Sequence, residues 1–167
     1  MGTVWLAVRS LAWTILVPGT VAGYVPWRFF GLGQARLDLR SPAHAVGLLA
    51  ASAGAALLLA CIWEFASSGR GTLAPVDPPR ELVVRGPYRT VRNPMYLSVT
   101  TILAGELLLA FSGAFLAYAI VWLIAVNLFV MAHEEPSLRV RFGDSYVRYC
   151  QRVGRWWPRV RRGETRD

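Results

Sequence analysis

Lysine is absent from this sequence of 167 residues; all 18 basic side chains are arginine. That is a matter of composition and carries no mechanism of its own, whereas the positions of the arginines do. Cysteine is scarce: Cys61 lies in an apolar run and Cys150 in a polar tail, which argues against a disulfide framework. The two histidines, His44 and His133, stand with no cysteine or carboxylate at metal-ligand spacing, so no metal is expected. Charge is also thin. Only 17% of residues are charged, against roughly 25% in soluble chains, and with a mean hydropathy of +0.39 this makes lipid part of the solvent. No glycine-rich fingerprint follows a strand, and strands do not alternate with helices. Gly31-Leu32-Gly33 reads as a turn, and a soluble Rossmann-type fold is excluded.

What is present is apolar length. Four stretches stand out: Val4 to Gly23 (interrupted by Arg9 and Pro18), Ala45 to Trp63, Met95 to Phe111, and Ala114 to Ala132. A spanning helix needs roughly 17 to 25 residues, and all four fit. The expected fold is all-α and integral to a membrane, with about four transmembrane helices and a C-terminal amphipathic interfacial helix. The chain divides into an N-terminal helix pair (1–66), a cytosolic loop (67–92), a helical hairpin (93–135) and an interfacial helix with its tail (136–167). The first stretch is expected to be retained, because no positive charge precedes its apolar part, as a signal peptide requires. Ala51, Gly54 and Ala55 permit close helix contact in lipid. The third and fourth stretches are joined by Ser112 and Gly113, which predicts a tight antiparallel hairpin. The loop before it is rich in proline and glycine.

Beyond Pro136, Leu138, Phe142, Tyr146, Tyr149 and Val153 recur at spacings of 4, 4, 3 and 4, one face of a helix. Trp156 and Trp157 suit a membrane–water boundary. The loop arginines (70, 80, 85, 89, 92) and the nine in the tail place both segments, and with four spans both termini, on the cytoplasmic side. Arginines beside apolar runs face lipid headgroups rather than nucleic acid.

Two stretches carry candidate chemistry. The first runs from Arg85 to Tyr96 as RGPYRTVRNPMY. Asn93 is placed to cap the third helix, and Pro94 suits its first position. The helix start then offers free N–H groups and a positive dipole end near Arg89 and Arg92, where a carboxylate binds; alternatively, these arginines touch lipid phosphates beside a capped helix. The second is His133-Glu134-Glu135-Pro136, adjacent acids at a membrane helix end that Pro136 is expected to terminate. Such acids accept hydrogen bonds from an amine or ribose and suit a cationic sulfonium; the alternative is a solvated helix end. Asn93 begins the hairpin and Glu134 ends it, so both stretches share one membrane face.

The order Gly86 to Tyr96, a hydrophobic hairpin, and then Glu134, Glu135, Leu138, Phe142, Gly143, Tyr146, Tyr149, Val153 and Arg155 to Arg159 resembles the isoprenylcysteine carboxyl methyltransferase and phospholipid methyltransferase superfamily. The resemblance covers about Arg80 to Arg159. It implies a membrane enzyme that binds S-adenosylmethionine on the cytosolic side, with Tyr88, Arg92, Asn93, Pro94, Tyr96, Glu134 and Glu135 holding the cofactor. Two positions depart from the pattern: Asn93 stands where histidine is frequent, and Ser98 where glycine is. Asparagine does not titrate and so cannot itself transfer a proton, and the resemblance does not extend to the N-terminal half.

Methyl transfer from a sulfonium is a direct displacement that needs neither a metal nor a covalent intermediate. The resemblance therefore implies a hydrophobic or amphipathic acceptor, whether carboxylate, amine or phenol. Arg89 and Arg92 are candidates to orient it, and no single residue stands out as a base. Glu106 falls near the middle of the third stretch. It either contacts a polar atom of the acceptor or makes a structural hydrogen bond, with Arg9 and Asn127 as candidate partners. The competing expectation is a non-catalytic membrane protein of the same fold that binds the cofactor or assists assembly.

Overall fold

The computed structural model describes residues 16–68 and 82–159. These are mostly helical, with no strand among them beyond one isolated parallel bridge, Val91 to Gly154. Helix α1 (16–29) contains a π-helical turn, Thr20–Tyr24, and ends as Val25–Phe29. It is followed by α2 (Pro42–Ser68), a 3-10 turn (Gly86–Arg89), α3 (Pro94–Leu109) and α4 (Gly113–Phe129). A second π turn, Val130–Glu134, leads into α5 (Glu135–Phe142), and α6 (Asp144–Arg152) comes last.

Two helical stretches, Pro42–Glu64 and Gly113–Phe142, are long and apolar enough to cross a membrane. The expected four are not all found. Most of the first stretch, Arg9 included, lies outside the described residues. Helix α3 has 16 residues, about 24 Å at 1.5 Å per residue, short of a hydrocarbon core about 30 Å thick. It stops early because Ala110 leaves helical geometry and Ser112 caps the next helix, its Oγ accepting from the Phe115 N–H at 3.1 Å.

The fourth helix, by contrast, overruns its expected end. It was predicted to stop before Pro136 but continues to Phe142. Proline has no N–H to give, and its ring crowds the carbonyl four residues back. The π turn absorbs this: the Glu135 N–H donates to the Val130 carbonyl, five residues back, leaving Pro136 in the first turn of α5. Glu134 and Glu135 therefore lie within a continuous helix rather than at its end. The break comes at Gly143, whose φ of 51° disfavours any residue with a Cβ. The predicted single interfacial helix is thus two. Its aromatic stripe still packs as one face: Tyr146, Tyr149 and Val153 are buried, with Leu138, Phe142, Cys150 and Leu82 against them.

Helix α3 is the hub, and its nearest neighbour is α2 rather than its hairpin partner α4. Small residues let the two backbones touch. A Cβ on Gly105 would lie 2.5 Å from the Gly47 carbonyl and the Ala51 nitrogen, and one on Gly54 2.8 Å from the Ser98 carbonyl. Val99 and Leu103 of α3 form a core with Ala22 and Phe115. Phe30 stacks on Phe115 at 5.0 Å, Tyr118 donates to the Val21 carbonyl at 2.9 Å, and Trp122 donates to Thr100 at 3.1 Å. These contacts tie α1 and α4 to α3 and fix where its N-terminus emerges.

Because the atoms facing Gly105 are backbone and cannot swing aside, Gly105→Val should destabilise the fold by about 1–3 kcal/mol. Gly113→Ala, where a Cβ meets nothing within 4 Å, should be near neutral. Thermal unfolding of both variants in the same detergent checks the contrast.

Candidate functional site

The approach to α3 is shaped by Gly86, which has a φ of 49°. A Cβ there would sit 2.5 Å from a Glu64 carboxylate oxygen, so the chain turns against the end of α2. Pro87 follows in the 3-10 turn, and its carbonyl accepts from the Thr90 and Val91 N–H groups. The Tyr88 phenol meets the Cys61 thiol, and the Tyr88 carbonyl accepts from the Tyr149 hydroxyl at 2.6 Å. Burial pushes the Tyr88 and Tyr149 phenols well above their ordinary range, which keeps both protonated at neutral pH.

Asn93 occupies the N-cap position of α3, but its side chain does not cap the helix. It turns instead to the C-terminal segment and donates to the Arg155 carbonyl at 3.4 Å. The reason lies next door: the Arg92 N–H donates to the Gly154 carbonyl at 2.8 Å, which brings residues 154 and 155 alongside. Pro94 takes the first helical position as expected.

Arg92 and Arg89 differ. Arg89 is exposed. Arg92 is drawn in, with Nη1 3.0 Å from Glu135 Oε1 and 2.8 Å from Cys150 Sγ. Arg155 approaches Glu135 from the other side, Nε on Oε1 and Nη2 on Oε2, both at 2.7 Å; this bond raises the Arg155 guanidinium pKa. Glu134 points elsewhere and accepts from the Tyr96 hydroxyl at 2.9 Å. Consecutive residues on a helix lie about 100° apart, so the two acids turn to different partners, which eases their mutual repulsion without removing it. One polar atom in this cluster is left over: Arg92 Nε is buried with no hydrogen-bond partner.

The residues from Tyr88 to Tyr96 thus meet Glu134 and Glu135 at one end of the α3–α4 pair, with 153–159 laid across. Sequence reasoning placed none of Arg155, Tyr149, Cys150 and Glu64 in the cofactor site. Arg155 and Tyr149 were visible as motif residues, but their partners are 20 and 61 residues away. The signal for Glu64 was a lone acid closing an apolar run. Among the described residues no cluster of three or more His, Cys, Asp or Glu is arranged to hold a metal.

Glu106 stands apart, thirteen residues beyond Asn93 and so about 20 Å along the helix. It is buried, and its Oε2 has no hydrogen-bond partner. Asn127, a suggested partner, accepts from Trp156 at 3.2 Å instead, and Arg9 lies outside the described residues.

The model of the family described as phospholipid methyltransferase matches residues 42–145, well over half of the chain, from α2 into α6. The chain belongs to the phospholipid methyltransferase family. An uncharacterized protein of Haemophilus influenzae is 46% identical over 63 residues, which is 37% of this chain and 98% of that protein. No solved structure matches. Membership in this family, with two helices of spanning length, supports a membrane methyltransferase in general terms.

Two outcomes follow for this family member. Replacing a buried unsatisfied carboxyl by an apolar side chain of similar volume removes a desolvation cost of about 1–3 kcal/mol, so Glu106→Met should raise the unfolding temperature. A lowered one would show that Glu106 has a partner. Tyr149→Phe leaves the Tyr88 carbonyl without its donor and should cost about 1–3 kcal/mol in the same assay.

Proposed function

We infer that this chain is an integral-membrane methyltransferase that takes its methyl group from S-adenosylmethionine and gives it to a lipid-like or prenylated acceptor. The observation that carries this reading is the buried, unpartnered Nε of Arg92, which Glu135 holds through Nη1, in a chain whose family is described as phospholipid methyltransferase. A carboxylate is the natural acceptor for that donor, and Glu134 keeps capacity to accept from an amine or a ribose hydroxyl. Tyr88, Asn93, Pro94 and Tyr96 complete the proposed site, with Glu135 behind Arg92.

S-adenosylmethionine supplies, when bound, a methyl group on a sulfonium that needs no further activation. The protein's part is then to orient both molecules and exclude water, which accounts for about 7 to 11 kcal/mol of such a barrier. The aromatic cluster under α6 and the segment 153–159 are suited to keeping water out. Arg89, exposed next to the site, is available to orient an acidic acceptor. Asn93 is no base, so an amine or phenol acceptor must lose its proton to water or another group. The arginine-rich loop and tail favour a multi-pass arrangement with the site and both termini in the cytosol.

The test is incubation of the purified protein with methyl-labelled S-adenosylmethionine and a total lipid extract. Label should appear in a lipid product whose identity fixes the acceptor. Cofactor binding without methyl release would instead mark a non-catalytic relative. Glu134→Ala should weaken cofactor affinity by about tenfold or more, a loss of ~1.4 kcal/mol, in a protein that still extracts folded; an unchanged affinity would remove this site from consideration.

A further inference from the structure

Resting on that reading of the site, we propose that the two adjacent acids divide the work. Glu134 touches the cofactor. Glu135 does not; with Arg155 it forms a positioning pair that holds Arg92 so that Nε faces the cofactor carboxylate.

Glu135 is spent on protein partners. Arg155 grips both of its oxygens at 2.7 Å, and Arg92 Nη1 adds a third contact at 3.0 Å. A carboxylate has about four acceptor positions, and this one, 7% exposed, has filled three. The forked contact fixes the carboxylate plane as well as its place, which a single point charge does not do.

Arg92 is pinned from several directions. Its backbone N–H is bound to Gly154 and its Nη1 to Glu135 and Cys150. Its Nε is buried without an acceptor. A buried donor left unmade is costly, and here it marks where a ligand atom completes the set. Arg92 and Arg155 against Glu135 leave one positive charge, which the Glu134 carboxylate offsets, a balance that suits a ligand with both an anionic and a cationic group. Glu134, on a different face of the helix, accepts a hydrogen bond from Tyr96 Oη at 2.9 Å.

The experiment compares equilibrium binding of S-adenosylmethionine with that of its decarboxylated analogue, which lacks only the carboxylate. Glu135→Gln and Arg155→Gln should each weaken S-adenosylmethionine by about tenfold, ~1.4 kcal/mol, and the double variant no more than the worse single one, since the two act as one unit. Binding of the decarboxylated analogue should barely change. Glu134→Gln should weaken both ligands alike, and its effect should multiply with that of Glu135→Gln. Arg155→Lys should not restore binding. Should Glu135→Gln fail to fold, Arg155→Gln, whose side chain is about one-third exposed, carries the same comparison. Equal losses for the two ligands in the Arg155 and Glu135 variants, or independent effects of these two residues, would overturn the division of labour while leaving the cofactor site intact. If the unaltered protein binds neither ligand, the cofactor reading and this proposal fall together.

Discussion

A single carboxylate holds three parts of this chain in register. Glu135 sits inside the long α4–α5 helix, Arg92 immediately precedes α3, and Arg155 belongs to the segment after α6. None of these is near another in sequence, and no apolar contact alone would align them. The forked Arg155 contact sets direction, while the Gly154 and Asn93 hydrogen bonds set spacing. Losing one partner of such a buried group would strand the others, which is why buried ion clusters are costly to break even where they add little net stability.

The apolar scaffold serves this clasp in a plainer way. Helix α3 lies so close to α2 that glycine is required at the crossing, and the Phe30–Phe115–Tyr118 rings lock its other side. Its N-terminus is therefore delivered to a fixed place beside the α4–α5 junction. Polar precision at one end depends on backbone contact along the helix.

Much of this was legible in the sequence. Apolar runs marked α2, α3 and α4, the 4-4-3-4 aromatic spacing marked the face that Tyr146, Tyr149 and Val153 bury, and the Arg85–Tyr96 and Glu134–Glu135 stretches marked the end where polar groups gather. The partners were not legible, because Asn93 looked like a cap by type and position, and only the fold reveals that the Arg155 carbonyl takes its amide while the Gly154 carbonyl takes the Arg92 N–H. Nor was the length of the fourth helix, because proline ordinarily ends a membrane helix unless the turn before it widens. Periodicity gives each segment its faces, but carries no information on which distant segment meets them.

The turn at Val130–Glu134 changes how the helix is phased. Five residues occupy what four would in an α-helical turn, so every side chain after it is rotated by about 100° from where an unbroken helix starting at Gly113 would carry it. Shortening this segment by one residue would leave composition and hydropathy almost untouched, yet swing Glu135 away from Arg92 and Arg155 and bring its neighbour round in its place. Homologous chains aligned through this region should therefore be compared residue by residue for insertions and deletions, since a gap of one position there redirects the acids more than most substitutions would.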